Sequence, residues 1–394
     1  MMLRFLTAGE SHGPALSLIV EGLPAGLAID EAKLNQALAK RQKGYGRGGR
    51  MAIETDKVKV IAGVRFGKTI GSPVSIVIEN KDWANWQEDM SVFGEENSTR
   101  AVNKPRPGHA DLTGIWKYAL SDARPVLERA SARKTATRVA VGALAGCLLD
   151  ALDIQIASHV RAIGNVCLPD AMQPTVEEIK AQVESSDLSC ICEQTAVNMR
   201  QHIDQAKEAG DSLGGVVEVV AEKVIPGLGS YVQWDRRLDG LLAQAIVSIP
   251  AFKAVEIGDG QQAATSLGSQ VHDEIFPTDD GTITRGSNRA GGLEGGMTNG
   301  EPLVVKGYMK PIPTLIKPLA SVDLTTGKQI SAEAERSDTC AVPAAAVVAE
   351  AMVKWVLAVA ILEKFSADNM TDLLQSVADY KQRLQQGGFA PCNW

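Results

Sequence analysis

Seven short stretches of the chain, at 15–23, 57–64, 73–79, 154–163, 215–224, 252–257 and 303–308, alternate apolar with polar residues or run apolar between turn residues. Alternation is the period of a half-buried strand. Longer segments with apolar residues at helical spacing lie between them, at 30–43, 132–152, 235–248, 341–362 and 367–385. Asp30 stands where a helix N-cap belongs. The segment 132–152 has few polar breaks, which predicts burial on most sides. The segment 341–362 is rich in Ala and Val, as close helix–helix packing requires. A Gly-rich turn within 57–79 predicts antiparallel pairing of the strands it joins. Sheets covering a helical layer follow, an α+β fold. No Pro/Gly/Ser linker, repeat or low-complexity tract divides the chain, so a single domain over 1–394 is expected.

With 394 residues, 45% of them hydrophobic, the chain can bury a large core. It carries 40 basic and 47 acidic side chains, a net charge of −7, which excludes a disordered chain and leaves no basic excess for nucleic acid. A local basic site for a small anion is still compatible with that balance. No stretch approaches the roughly 20 uninterrupted apolar residues of a membrane span. The opening MMLRFLTAGESHG has no basic leader before an apolar run, so a cytoplasmic protein is expected. Cys147, Cys167, Cys190, Cys192, Cys340 and Cys392 show no CxxC and no paired metal spacing, which predicts reduced thiols and no metal.

Three motifs invite readings that their context refuses. Gly9-Glu10-Ser11-His12-Gly13 matches a nucleophile elbow, but a strand-like run follows where a helix is needed. Gly44-Tyr45-Gly46-Arg47-Gly48-Gly49 matches a dinucleotide fingerprint, but it follows a helix instead of a strand. The run from Gly63 to Thr69 is one residue short of a phosphate-binding loop and reads as a hairpin turn with a basic rim.

Arginines recur among glycines and turn residues: Arg41, Arg47, Arg50, Arg106, Arg129, Arg133 and Arg336. Guanidinium forks bind phosphate and carboxylate bidentately, and glycine lets the backbone approach closely. In an acidic protein this clustering predicts a local anion site. Ser131 and Thr135, at the start of a helix, could hold a phosphate or simply cap the helix. His12 and His109 lie in Gly-flanked polar segments and can move protons near neutral pH. His159, His202 and His272 read as structural.

GESHG at 9–13, GYGRGGRM at 44–51, RPGHAD at 106–111, RASARKTA at 129–136, SIPAFKAVEIG at 248–258, NRAGGLEGGMTNG at 288–300, KPIPT at 310–314 and RSDTC at 336–340 resemble the blocks of chorismate synthases, in the family's order and across nearly the whole chain. GRGGRM resembles the bacterial form without its own flavin reductase. The resemblance implies a β-α-β sandwich, a homotetramer and bound reduced FMN, supplied by a separate NAD(P)H-dependent reductase. It implies a 1,4-anti elimination of phosphate from 5-enolpyruvylshikimate 3-phosphate, giving chorismate on the route to aromatic amino acids. The reduced flavin would lend an electron as the C–O bond breaks and recover it as the C6 hydrogen leaves.

Roles carry over by motif. His12 would protonate the departing phosphate, His109 would protonate or stabilise the reduced flavin, and Asp338 would assist removal of the C6 proton. Arg41, Arg47, Arg50, Arg106, Arg133 and Arg336 would grip the phosphate and two carboxylates. Arg129, Ala130, Ser131, Ala251, Gly295, Lys310, Pro311, Ile312, Pro313 and Thr314 would contact FMN, with Arg336 shared. The chain departs from many members at Ala130 and Ser337, where they have serine and histidine, and at Pro250, where they have asparagine. Whether NADP docks at Arg41 and Arg47 stays open; substrate binding explains them better. Two other readings remain: a different flavin or phosphate-sugar enzyme, and a non-catalytic anion-binding protein, against which the joint presence of His12, His109 and Asp338 speaks.

Overall fold

The structure, a computed structural model, describes residues 3–47, 55–95, 99–279, 281–332 and 338–387. Two antiparallel sheets frame it. The first has strands β1 (Arg4–Ala8), β2 (Ala15–Glu21), β3 (Lys59–Ala62) and β4 (Val74–Glu79), in the order β1-β2-β4-β3. The second has β5 (Gln155–Ile163), β6 (Val166–Cys167), β7 (Gly215–Glu222), β8 (Phe252–Ile257) and β9 (Leu303–Met309), in the order β8-β9-β7-β5-β6. The helices are α1 (Glu31–Gln42), α2 (Asp111–Tyr118), α3 (Arg124–Ala130), α4 (Thr135–Asp150), α5 (Val176–Val183), α6 (Glu193–Glu208), α7 (Leu238–Val247), α8 (Val342–Phe365) and α9 (Met370–Gln386).

The strand alternation does what a half-buried sheet requires. Along β2, Leu16, Leu18 and Val20 point into the core while Ile19 faces out, 46% exposed. On β4, Val74, Ile76 and Ile78 fill the alternate positions of the same inner face. Helix α4 packs under β2, α8 packs against β5 and β7, and α4 and α8 pack on each other. One continuous core cluster draws residues from both sheets and from these helices. Close approach of α4 and α8 depends on Gly142, where an added Cβ would overlap Ala351.

Asp30 caps α1, its side chain accepting from the amides of Ala32 and Lys33. Helix α8 is long and apolar enough to cross a membrane, with mean hydropathy 2.1, yet 78% of that window is buried inside the fold. The three decoy motifs resolve as their context predicts. GESHG is the turn between β1 and β2, with Gly9 at φ +104°, where a Cβ would overlap the Ala15 carbonyl. Val64–Arg65 pairs with Lys68–Thr69 as a tight hairpin. The third motif follows the end of α1, as predicted, and its Gly48 and Gly49 lie outside the described residues. Cys147, Cys167, Cys190, Cys192 and Cys340 are free, and no metal-binding cluster occurs among the described residues.

Candidate active site

The β1–β2 turn delivers His12 to a buried carboxylate on α3. Glu128 accepts from the His12 amide at 2.8 Å and meets Nδ1 at 2.8 Å. A carboxylate on Nδ1 fixes the ring and leaves Nε2 as the atom that gives or takes a proton. The ring stacks on Trp86, centroids 3.8 Å apart and 22° from parallel. Arg100 lies 3.8 Å over the same indole, and Arg124 reaches Glu128 from one turn away. Burial pushes the Glu128 carboxyl up, but the hydrogen bonds and charge of His12, with Arg124, outweigh it and hold Glu128 below its ordinary range.

Beside this turn, two arginines converge on one acid. Arg41 meets Asp56 at 2.6 Å, and Arg133 meets its other oxygen. Arg133 also donates to Asn80 Oδ1 at 2.8 Å, and the Asn80 amide donates to the carbonyls of Glu10 and Gly13. Asn80 thereby fastens the arginine pair to the His12 turn. Burial, then repulsion from Arg133 and Arg47, pushes the Arg41 guanidinium down, with Asp56 opposing. Arg41 Nε is buried without a hydrogen-bond partner. Two buried guanidinium groups thus meet on one carboxylate.

A third set lies at the start of α2. Arg106 donates from Nε to Asp111 at 2.9 Å, and His109 Nδ1 meets the other Asp111 oxygen. Burial pushes the Asp111 carboxyl up, but hydrogen bonds from His109 and Arg106 more than offset it and hold the group well below the carboxylate range. Arg106 also donates to Thr314 at 3.3 Å, and Lys310 Nζ donates to the Gly108 carbonyl at 2.6 Å. The Lys310 amide bonds the carbonyl of Ala251, which sits at φ +71°. The segment 310–314 is therefore strapped to the 106–109 loop, with Ile312 held through its carbonyl by Ser212. Helices α2 and α3 pack together and join this set to the Glu128 set. Arg47 lies 3.1 Å from Asp338, on a segment tied to Gly46 through the Thr339 amide.

The predicted residues thus gather in part. His12, Arg41 and Arg133 share one linked network, and His109, Arg106, Lys310, Thr314 and Ala251 share another. Arg129 anchors the turn, donating to the carbonyls of Thr7 and Gly9. Ser131 caps the short turn before α4 through the Arg133 amide and meets Ser11 at 3.1 Å, while Ala130 ends α3. Arg50 and Arg336 lie outside the described residues. Gly295 stands apart. It belongs to a hairpin at the first residue of α7, whereas Ala251 follows the last, a helix length of about 15 Å away.

Sequence reasoning passed over Glu128, Asp56, Asp111, Asn80 and Trp86. Glu128 and Asp111 lay in plain view, the first beside RASAR and the second ending RPGHAD. Asp56, Asn80 and Trp86 sit outside every motif, and nothing short of the fold brings them near.

A sequence profile for a family described as chorismate synthase matches residues 3–362. A chorismate synthase of Geobacillus sp. (strain WCH70) is 53% identical over 384 residues, 97% of this chain and 99% of its own. One from Desulforamulus reducens is 54% identical over 386 residues, 98% of this chain and 100% of its own. A solved structure titled "Crystal Structure of Chorismate Synthase" superposes with a TM-score of 0.79 at 41% identity, covering 98% of this chain and 99% of that one.

Proposed function

The chain belongs to the chorismate synthase family, and on that premise we propose that it removes phosphate from 5-enolpyruvylshikimate 3-phosphate by a 1,4-anti elimination, with reduced FMN bound and no net redox change. The observation that carries this reading is the gathering of buried guanidinium groups: Arg41 and Arg133 meet on Asp56, and Arg106 is held on Asp111. A substrate with one phosphate and two carboxylates supplies anions that such buried guanidinium groups can grip. Arg47, Arg50 and Arg336 complete the proposed substrate ligands.

Each proton has a proposed carrier. His12, held at Nδ1 by Glu128, offers Nε2 as general acid to the departing phosphate. His109, held by Asp111, stands as the donor on the flavin side. Asp338 assists loss of the C6 proton, and its ion pair with Arg47 keeps its carboxylate oriented. Reduced FMN, when bound, supplies the electron that eases C–O cleavage and regains it as the C6 hydrogen leaves.

The residues fit such a group by their unanswered charge. Burial, then repulsion from Arg138 and Arg129, pushes Lys134 down, and burial, then Arg129, does the same to Arg138. Among the described residues neither forms an ion pair, so a flavin phosphate there would relieve both. Arg129, Ala130, Ser131, Ala251 and 310–314 would hold the rest, with Pro311 and Pro313 stiffening the strap before binding. Gly295 is left out of the contacts proposed within one chain.

The proposal includes a β-α-β sandwich forming one domain, for which the shared core across both sheets speaks. It includes a cytoplasmic homotetramer fed by a separate flavin reductase. Leu6 and Ile19, exposed cross-strand neighbours on the outer face of the first sheet, suit contact between copies.

An anaerobic assay with dithionite-reduced FMN, following chorismate absorbance and released phosphate, tests the whole reading. Product that requires reduced flavin, with oxidised FMN inert, is expected. Folded, flavin-binding protein that releases no phosphate would move the search to other anionic substrates.

A further inference from the structure

We propose that a cleft of ≈ 450 Å³ between α1, α4, α8 and the start of β5, built from residues other than the arginine networks, binds a small carboxylic acid with an apolar body. The volume lies in the range of small-molecule sites.

Helix α8 is the first clue. Through its 24 residues it carries charge only at Glu350 and Lys354 and in its last turn. Those two residues, one turn apart, line the cleft. Glu350 takes Lys354 Nζ at 2.6 Å on one oxygen and Ser158 Oγ at 2.8 Å on the other. Burial pushes its carboxyl up, and Lys354, Ser158 and Lys40 together outweigh that and keep it ionised. A core helix gains little from an ion pair that apolar residues could replace. A cleft that must stay open and receive a polar group does need one.

The rim is the second clue. Lys40 on α1, Lys43 just past its end and Lys180 on α5 border the cleft and form no ion pair among the described residues. The acids beside them are mostly engaged: Asp150 with Lys33 at 2.7 Å and Asp187 with Arg200 at 2.8 Å. The three lysines thus face Glu184 and Glu350, and Glu350 is already taken by Lys354. A single unpaired surface lysine means nothing, but three around one mouth attract an anion. Beneath them Leu149, Ile156 and Val183 offer an apolar wall. The carboxylate therefore meets the lysines while the body lies on that wall.

Phenylacetate titrated into the full chain, followed by calorimetry and ligand-observed NMR, tests the site, with benzylamine as the probe of opposite charge. Saturable binding of phenylacetate and none of benzylamine is expected. The triple variant K40Q/K43Q/K180Q should bind about tenfold more weakly or worse, and Val183→Trp, which fills the wall, should abolish binding. Both variants should form chorismate at the wild-type rate. The changed lysines are exposed, and thermal melts check that the fold survives; if the triple variant melts early, Val183→Trp decides alone. The proposal is overturned if phenylacetate fails to bind, if benzylamine binds equally, or if Val183→Trp leaves affinity unchanged. It is also overturned if binding persists in a folded triple variant but disappears in Arg106→Ala, since the arginine cluster would then be the receptor.

Discussion

Asp56 matters to the charge balance of the site, because Arg41 and Arg133 both pair with it. Asp56→Asn keeps the shape and removes the charge that both buried guanidinium groups share. A loss of about 3 kcal/mol is expected in urea unfolding, the scale of a broken buried ion pair. Inorganic phosphate should restore part of it, and should raise the melting temperature of the variant more than that of the wild type. Equal shifts in both would mean that no anion enters between these arginines. For the proton carriers, His12→Ala and His109→Ala should each lower turnover roughly 10- to 1000-fold, measured anaerobically with excess reduced FMN. Asp338→Asn should lower turnover while FMN binding, read by fluorescence titration, stays largely intact. Near-normal rates in the histidine variants would remove their assigned roles.

At the level of elements, the hydrophobic pattern located the long strands well. The stretch 252–257 coincides with β8, and 303–308 falls one residue short of β9. Helix α1 starts where its capping aspartate predicts. The pattern missed β1, and the reason is physical: Leu6 faces out at 71% exposure, so apolar and buried do not coincide along that strand. It missed α2 and α3, whose few residues are too short for a periodic signal. It also missed the 16-residue α6, and α5, although Thr175 and Glu178 spell out a capping box that the structure forms. The segment 132–152 proves to be a short tight turn followed by α4, and Ser131 caps that turn. Gly142 tests how closely α4 and α8 must approach. Gly142→Ala adds one methyl group against Ala351, and the strain should cost about 2–3 kcal/mol in chemical denaturation. A neutral result would show that the two helices can slide apart.

For the whole molecule, acid sensitivity follows from the buried carboxylates. Glu128 and Asp111 are held below their ordinary values of 4.5 and 3.8, so their partners stabilise the fold above those values. That stabilisation is lost as pH falls through them toward the depressed folded values. The free energy of unfolding should therefore decline below about pH 4.5, and more steeply in the wild type than in a Glu128→Gln/Asp111→Asn variant. Parallel slopes would place the acid-labile groups elsewhere. The proposed flavin contacts would join elements far apart in sequence, from Arg129 to Thr314. Reduced FMN at about a hundredfold excess over its Kd should add about 2.7 kcal/mol of stability. Lys134→Glu should erase most of that gain.

The amino-acid sequence alone determined the α+β class, the positions of most of the long elements and, through eight ordered motifs, the family. These are local properties: periodicity, capping and side-chain chemistry can be read where they stand. Which acid answers which base was decided only in three dimensions. Glu128 reaches His12 across 116 residues, and Asp56 meets Arg133 across 77. The distance of Gly295 from Ala251 is likewise set by a helix lying between them. Such pairings depend on how sheets and helices stack. Stacking follows from the burial of the whole core at once, which no short run of residues encodes.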